Sequence, residues 1–193
     1  VAVSFSTSGL TTTSVSIPTV DNDISPIFSV SSPLSINEGG TTTVNVQLNG
    51  DPSASKIVLL QSSIPGVISI SPSSITFDST NWNNPTPITI TALQDTSATN
   101  ESITLTAGGV GLTSSNLFVN TVDDETLNFI ITGSSQLTEG QTGNLQINLS
   151  ADPGTNVTVT LTSNSPNVNF TPTSFIFNSS NYSTPKSIAI TTN

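Results

Sequence analysis

Asp21, Asp23, Glu38 and Asp51 return about 100 residues later as Asp123, Glu125, Glu139 and Asp152. Eight of the 12 acids therefore fall at places that are acidic twice; the other four are Asp78, Asp95, Glu101 and Asp124. Carboxylates can do three kinds of chemistry: acid–base catalysis, holding a hard cation, or shaping turns. Catalysis needs a nucleophile with a base, or two carboxylates poised in a cleft. The chain has no histidine or cysteine and its acids cluster in repeated connections, so it is read as not an enzyme. Gathered carboxylates repel one another unless a cation or water lies between them. Ca2+ takes six to eight oxygens with carboxylates leading, and is the cofactor such a set suggests. The competing account is local, because Asp and Asn favour turns through their own side-chain hydrogen bonds. Asp51 and Asp152, each followed by proline, are read as turn residues.

The acids belong to a wider repeat. Gly9-Leu10-Thr11 returns as Gly111-Leu112-Thr113, and Ser71-Pro72 through Phe77 as Thr171-Pro172 through Phe177. Asn81-Trp82 returns as Asn181-Tyr182, and the offset drifts only from 102 to 100. Arrays of similar units commonly serve mechanical or display roles. The divisions expected are 1–23, the last two strands of a preceding or donated module; 24–125, a complete module; and 126–193, the start of a further module lacking its last two strands.

Composition narrows the partners. Only Lys56 and Lys186 are cationic, and the net charge is −10. That excludes nucleic acid as a partner, since phosphate contacts come from several Lys or Arg, and disfavours anionic membrane surfaces. Charged residues are only 7% of the chain against about 25% in most globular proteins, while Ser and Thr number 65. Solubility rests on neutral polar groups, which suits an extracellular or cell-surface protein. No apolar run approaches the ~20 residues of a membrane span.

The apolar period is two. Val44, Val46 and Leu48 alternate with polar residues, as do Leu145, Ile147 and Leu149; Ile88 and Ile90 recur as Ile188 and Ile190. This is the pattern of strands with one buried and one wet face. Strands are expected at Phe28–Ile36 (interrupted near Pro33), Thr41–Leu48, Lys56–Leu60, Val67–Ile70, Ser74–Phe77, Pro87–Ala92, Ser102–Ala107 and Leu117–Val122. Seven or eight short strands in about 100 residues predict an all-β fold of tandem immunoglobulin-like Greek-key β-sandwich modules.

Three short stretches carry a family likeness: Asn37-Glu38-Gly39, repeated as Thr138-Glu139-Gly140; Gln94-Asp95 followed by Glu101; and Val122-Asp123-Asp124-Glu125, echoed by Val20-Asp21-Asn22-Asp23. In these the chain resembles the Calx-beta family and related bacterial surface repeats. The resemblance implies that the three stretches meet at one end of the sandwich and bind calcium through Glu38, Asp95, Glu101, Asp123, Asp124 and Glu125. It lacks that family's Asp-rich motif after the third strand, and Asn81-Trp82-Asn83 is more typical of the bacterial surface repeats.

The function expected is a non-enzymatic extracellular structural or adhesive segment, such as a stalk, adhesin or surface filament, rigidified by calcium. Its partners would be neighbouring modules, copies of itself, or a surface glycan or protein ligand. One rival is a carbohydrate-binding or accessory module of a secreted hydrolase, with Trp82 and Tyr182 as sugar platforms. Their shared repeat position favours a packing role instead. A second rival is a filament subunit polymerising by strand donation, in which Val1–Asp23 of one copy completes the open module of the next. On that account Val1, Val3 and Phe5 should face a core, with Val15, Ile17 and Thr19 in the closing strand. The plainer expectation is an excerpt of a longer array.

Overall fold

The computed structural model describes residues 2–5, 8–9, 13–16 and 23–193. The described residues form strands and no helix, arranged in several sheets. No helix is long and apolar enough to cross a membrane. Val1, Ile17, Thr19 and Asp21, named in the sequence reading, lie outside the described residues.

Strands β1 (Ala2–Phe5) and β2 (Thr13–Ser16) pair as an antiparallel hairpin. Nine strands follow: β3 (Pro26–Phe28), β4 (Leu34–Asn37), β5 (Thr41–Leu48), β6 (Lys56–Ser62), β7 (Ile68–Ser71), β8 (Ser74–Phe77), β9 (Thr86–Ala92), β10 (Ser102–Gly108) and β11 (Ser115–Val122). They form two sheets, ordered β3-β5-β9-β7 and β4-β11-β10-β6-β8. The inner faces share one core. Val44, Val46 and Leu48 of β5 and Ile88 and Ile90 of β9 come from one sheet; Val58, Phe77, Ile103, Leu105, Leu117 and Val119 come from the other. All are essentially sealed from water, and the residues between them along each strand face out, as a period of two requires; most are polar, but Ile57, Leu59 and Phe118 are exposed apolar residues on the outer face. This is a two-layer sandwich.

The remaining strands are β12 (Phe129–Gly133), β13 (Thr142–Leu149), β14 (Val157–Thr160), β15 (Val168–Thr171), β16 (Ser174–Phe177) and β17 (Lys186–Thr192). One sheet is ordered β12-β13-β17-β15; the other is the pair β14-β16. Ile147, Leu149, Val159, Phe177 and Ile188 make a smaller core between them.

One expected strand divides. The sequence pattern predicts one interrupted strand over Phe28–Ile36, but β3 pairs with β5 in one sheet and β4 with β11 in the other. The chain crosses between the layers before Pro33, whose missing N–H cannot serve a ladder. The β4–β11 pairing is parallel (Leu34↔Val119 through Asn37↔Val122), unlike every other strand pair described. That exception positions the acids.

Candidate metal site

Because β4 and β11 run in the same direction, they finish at the same end of the sandwich. Residues 38 and 123–125 leave it side by side. The Glu38 N–H donates to the Val122 carbonyl at 2.8 Å, and the chain then turns through Gly39, whose φ of +68° favours glycine. From the other sheet, the chain leaving β9 lays Gln94–Asn100 across this end. The Asp95 N–H donates to Glu38 Oε1 at 2.5 Å. Gln94 Nε2 donates to Asp124 Oδ1 at 2.9 Å and to Glu125 Oε1 at 3.1 Å. Asn100 Oδ1 accepts the Asp123 N–H at 2.8 Å.

Glu38, Asp123 and Glu125 each offer a carboxylate oxygen, and these oxygens lie within 4.8 Å of one another. All three residues are half-buried. Burial pushes the Glu38 carboxyl up to about 7; the charges of Asp95, Glu125 and Asp123 push the same way, and the hydrogen bond from the Asp95 amide pulls it down. Glu125 Oε2 is buried with no hydrogen-bond partner among the described residues. A buried carboxylate oxygen without a donor is costly, and a cation would satisfy it. The donors are all oxygen, with no imidazole or thiolate, which suits Ca2+ or Mg2+ rather than zinc or copper. The residues present therefore fit a hard divalent cation. Carboxylates of Glu38, Asp123 and Glu125 would hold it, and the charge it supplies would offset their repulsion.

The other three residues named from sequence stand differently. Asp95 reaches Glu38 through its backbone, while its own Oδ1 accepts the Ser97 N–H at 2.6 Å. Asp124 is exposed at the rim, held by Gln94. Glu101 is outside the triad. Its Oε2 accepts from the Thr121 hydroxyl at 2.5 Å, and that hydroxyl accepts the Glu101 N–H at 3.2 Å. Thr121 is buried and fully served by this exchange. Gln94 and Asn100 were not among the sequence candidates, since an uncharged amide stands out less than an acid. Gln94 does precede Asp95 in the motif, the one signal that marked it.

The loop over the acids also carries the contact with the next repeat. Ser97 and Asp152 form a parallel β-bridge. The Ala98 N–H donates to the Asp152 carbonyl and the Asp152 N–H to the Thr96 carbonyl, both at 2.8 Å. Tyr182 Oη lies 3.3 Å from Thr96 Oγ1. Gly154, with φ +65°, sits so close that a Cβ there would lie 2.8 Å from Thr99 Cγ2. The side chains of Asp51 and Asp152 accept the Ser53 and Gly154 N–H groups at 2.8 and 2.9 Å, which is the turn chemistry expected.

Asp78 is a turn acid too. The Thr80 hydroxyl and then its amide, both donating to Asp78 Oδ1, hold its carboxyl below the usual range. The same turn recurs at Asn178 with Ser180. In both copies the following aromatic is half-buried against its core, and its carbonyl accepts a strand N–H at 2.8 Å: Leu48 to Trp82 and Leu149 to Tyr182.

No family model matches the chain, and no curated protein is similar to it. Among solved structures it is similar to the CupB2 chaperone of Pseudomonas aeruginosa, at 11% identity over 84% of this chain and 98% of that chain, with a TM-score of 0.38. It is also similar to the YadV chaperone, at 6% identity over 86% and 84% with a TM-score of 0.37. The polymeric Ig receptor ectodomain of a teleost fish matches at 10% identity over 88% and 86%, with a TM-score of 0.27. Likeness at this level says nothing of function.

Proposed function

We propose that the chain is a non-enzymatic structural segment of an extracellular or cell-surface protein. Its repeats are tandem immunoglobulin-like Greek-key sandwiches, and Ca2+ at the Glu38–Asp123–Glu125 triad stiffens the junction with the following repeat. The observation that carries this reading is the double use of residues 94–101. One side of the loop donates to Glu38, Asp124 and Glu125; the other pairs with Asp152 of the next repeat. A cation drawing the carboxylates together would order the loop, and an ordered loop would fix the junction. The role is mechanical, with sandwiches as rigid spacers joined by connections of a few residues. A sugar-binding role would need Trp82 and Tyr182 as open faces; their packing against the two cores supports the scaffold instead.

The test is small-angle scattering and thermal unfolding with calcium and with a chelator. Calcium is expected to raise the melting midpoint and narrow the distribution of shapes, and Glu125→Gln to remove both effects. No change in either measurement at millimolar calcium would overturn the metal part of the reading.

A further inference from the structure

The outer face of β6 carries hydrocarbon beside a cation. Ile57, Leu59 and Val110 are 57%, 49% and 93% exposed. The turn between β10 and β11 folds beside β6, and Gly109 comes so close to the Ile57 carbonyl that a Cβ there would collide with it. Between turn and strand lies a cavity of about 440 Å³, lined by Ser55, Lys56, Ile57, Leu59, Gly109 and Val110. A second cavity, of about 290 Å³, shares Leu59, Gly109 and Val110 with the first and continues towards Gln61 and Ser114. With those walls in common, the two form one trough of the size that small ligands occupy. It lies at the end of the sandwich remote from the acids, because β11 begins after this turn and finishes beside Asp123.

The sandwich itself does not require these residues. The match of Lys56↔Phe77 with Val157↔Phe177 puts Ile57 and Leu59 at the places of Thr158 and Thr160, which are both exposed. The match of Gly9-Leu10-Thr11 with Gly111-Leu112-Thr113 puts Val110 at the place of Ser8. Three times this copy shows hydrocarbon to water where another copy has a hydroxyl. Lys56 likewise stands where the other copy has Val157. A single exposed apolar residue is ordinary, but three lining one cavity point to a ligand.

Lys56 indicates its charge. It is one of two cations in a chain of net charge −10. The side chain is half-buried, and its Nζ lies 3.5 Å from the Val110 carbonyl. Gly111 leaves room for it, since a Cβ there would lie 2.7 Å from Nζ. An ammonium has three donors, and a carbonyl at that distance takes up little of one. The apolar trough therefore ends in a cation with donors to offer an anion. A large acidic partner, or a second copy of the chain, would meet the repulsion of the whole molecule; a small monoanion meets little of it.

We propose that this trough binds a small amphiphile, with its aliphatic chain over Ile57, Leu59 and Val110 and its terminal carboxylate on Lys56 Nζ. The hydrocarbon supplies affinity and the ion pair supplies orientation. The site draws on neither the acid triad nor the role as a spacer. Its tests are run in chelator, so failure of one reading leaves the other standing.

The probes are hexanoate, octanoate and decanoate, each below its micelle concentration, added to the isotopically labelled 193-residue chain and followed by NMR. Saturable shifts are expected at residues 55–61 and 106–114 and on the Lys56 side chain. Affinity should rise about twofold per methylene, half the free energy of complete burial, because the trough is open. Lys56→Met keeps the stem and removes the charge. It should weaken the carboxylates about fivefold and leave decanol, the uncharged probe, unchanged. Ile57→Thr with Leu59→Thr, the residues of the other copy, should abolish binding of acid and alcohol alike without lowering the melting midpoint. Four results would overturn the proposal: no saturable shift with any probe; shifts spread equally over Phe118 and Phe129, exposed apolar residues outside the trough; carboxylate affinity unchanged in Lys56→Met; or binding retained in the double threonine variant.

Discussion

Glu38 and Glu139 hold the same place in two copies of one repeat and sit in different surroundings. Glu38 has Asp123 and Glu125 within reach, the Asp95 amide on its carboxylate, and a carboxyl raised to about 7. Glu139 is exposed, and no group of three acids forms around it among the described residues. The difference lies far away in the chain. Glu38 gains its neighbours from a strand that pairs with β4 some 85 residues later, and the second copy has no such strand among the described residues. A repeated acid is half of a site until the fold supplies the other half. Phe129 and Ile131 of the second copy are exposed. One hairpin both closes the apolar core and completes the acid cluster.

The comparison breaks most visibly in the cores. Phe77 and Phe177 are both fully buried. Phe77→Ala should cost about 4 kcal/mol, within the usual range for a buried phenylalanine. Phe177→Ala should cost less, about 3 kcal/mol, because a smaller and more open core relaxes around the void. Denaturant unfolding of each variant measures this, and equal costs would remove the claimed difference in closure.

Metal binding is next in size. Calcium at a hundredfold excess over its Kd should stabilise by about 2.7 kcal/mol. Glu125→Gln should abolish that gain and Glu139→Gln should leave it intact, as read by melting with and without chelator. A gain lost equally in both variants would mean that the triad is not the site.

Trp82→Ala should cost about 2–3 kcal/mol, below the range for fully buried aromatics because the ring is half-buried. Affinity on a glycan array should not change. A variant of normal stability with lost sugar binding would reverse the assignment.

The smallest effect is on pH dependence. The Glu38 carboxyl sits at about 7 against an ordinary 4.5, so the folded state holds a proton that the unfolded state releases between these values. Without calcium, its contribution to stability is present below about pH 4.5 and lost as pH rises through about 7. Glu38→Gln should flatten that slope in a series of melts, and Glu139→Gln should stay within about 0.5 kcal/mol of the parent.

Much of the fold was legible because a half-buried strand writes its two faces into alternate residues. Thr41–Leu48 and Ser74–Phe77 match β5 and β8 residue for residue. The split of Phe28–Ile36 was not legible. Both halves look like strand, and which sheet each joins depends on partners at Gln47 and Val119, far away in sequence. The acids were legible as types and positions. That Glu38, Asp123 and Glu125 meet while Glu101 turns to Thr121 was not, because it depends on which strand ends and loops the fold brings together.

By itself the sequence determined the all-β class, the repeat, the low charge and the supply of oxygen ligands without imidazole or thiolate, for these are properties of residue types and their spacing. The tertiary structure alone decided the parallel β4–β11 pairing that gathers the triad, the amide contacts of Gln94 and Asn100, and the backbone bridge from Ser97 to Asp152. The pairing and the bridge depend on chain direction and on backbone N–H and C=O groups that nearly every residue carries, and the side-chain amides of Gln94 and Asn100 reach the acids only because the fold lays their loop across that end, so residue types alone announce none of them.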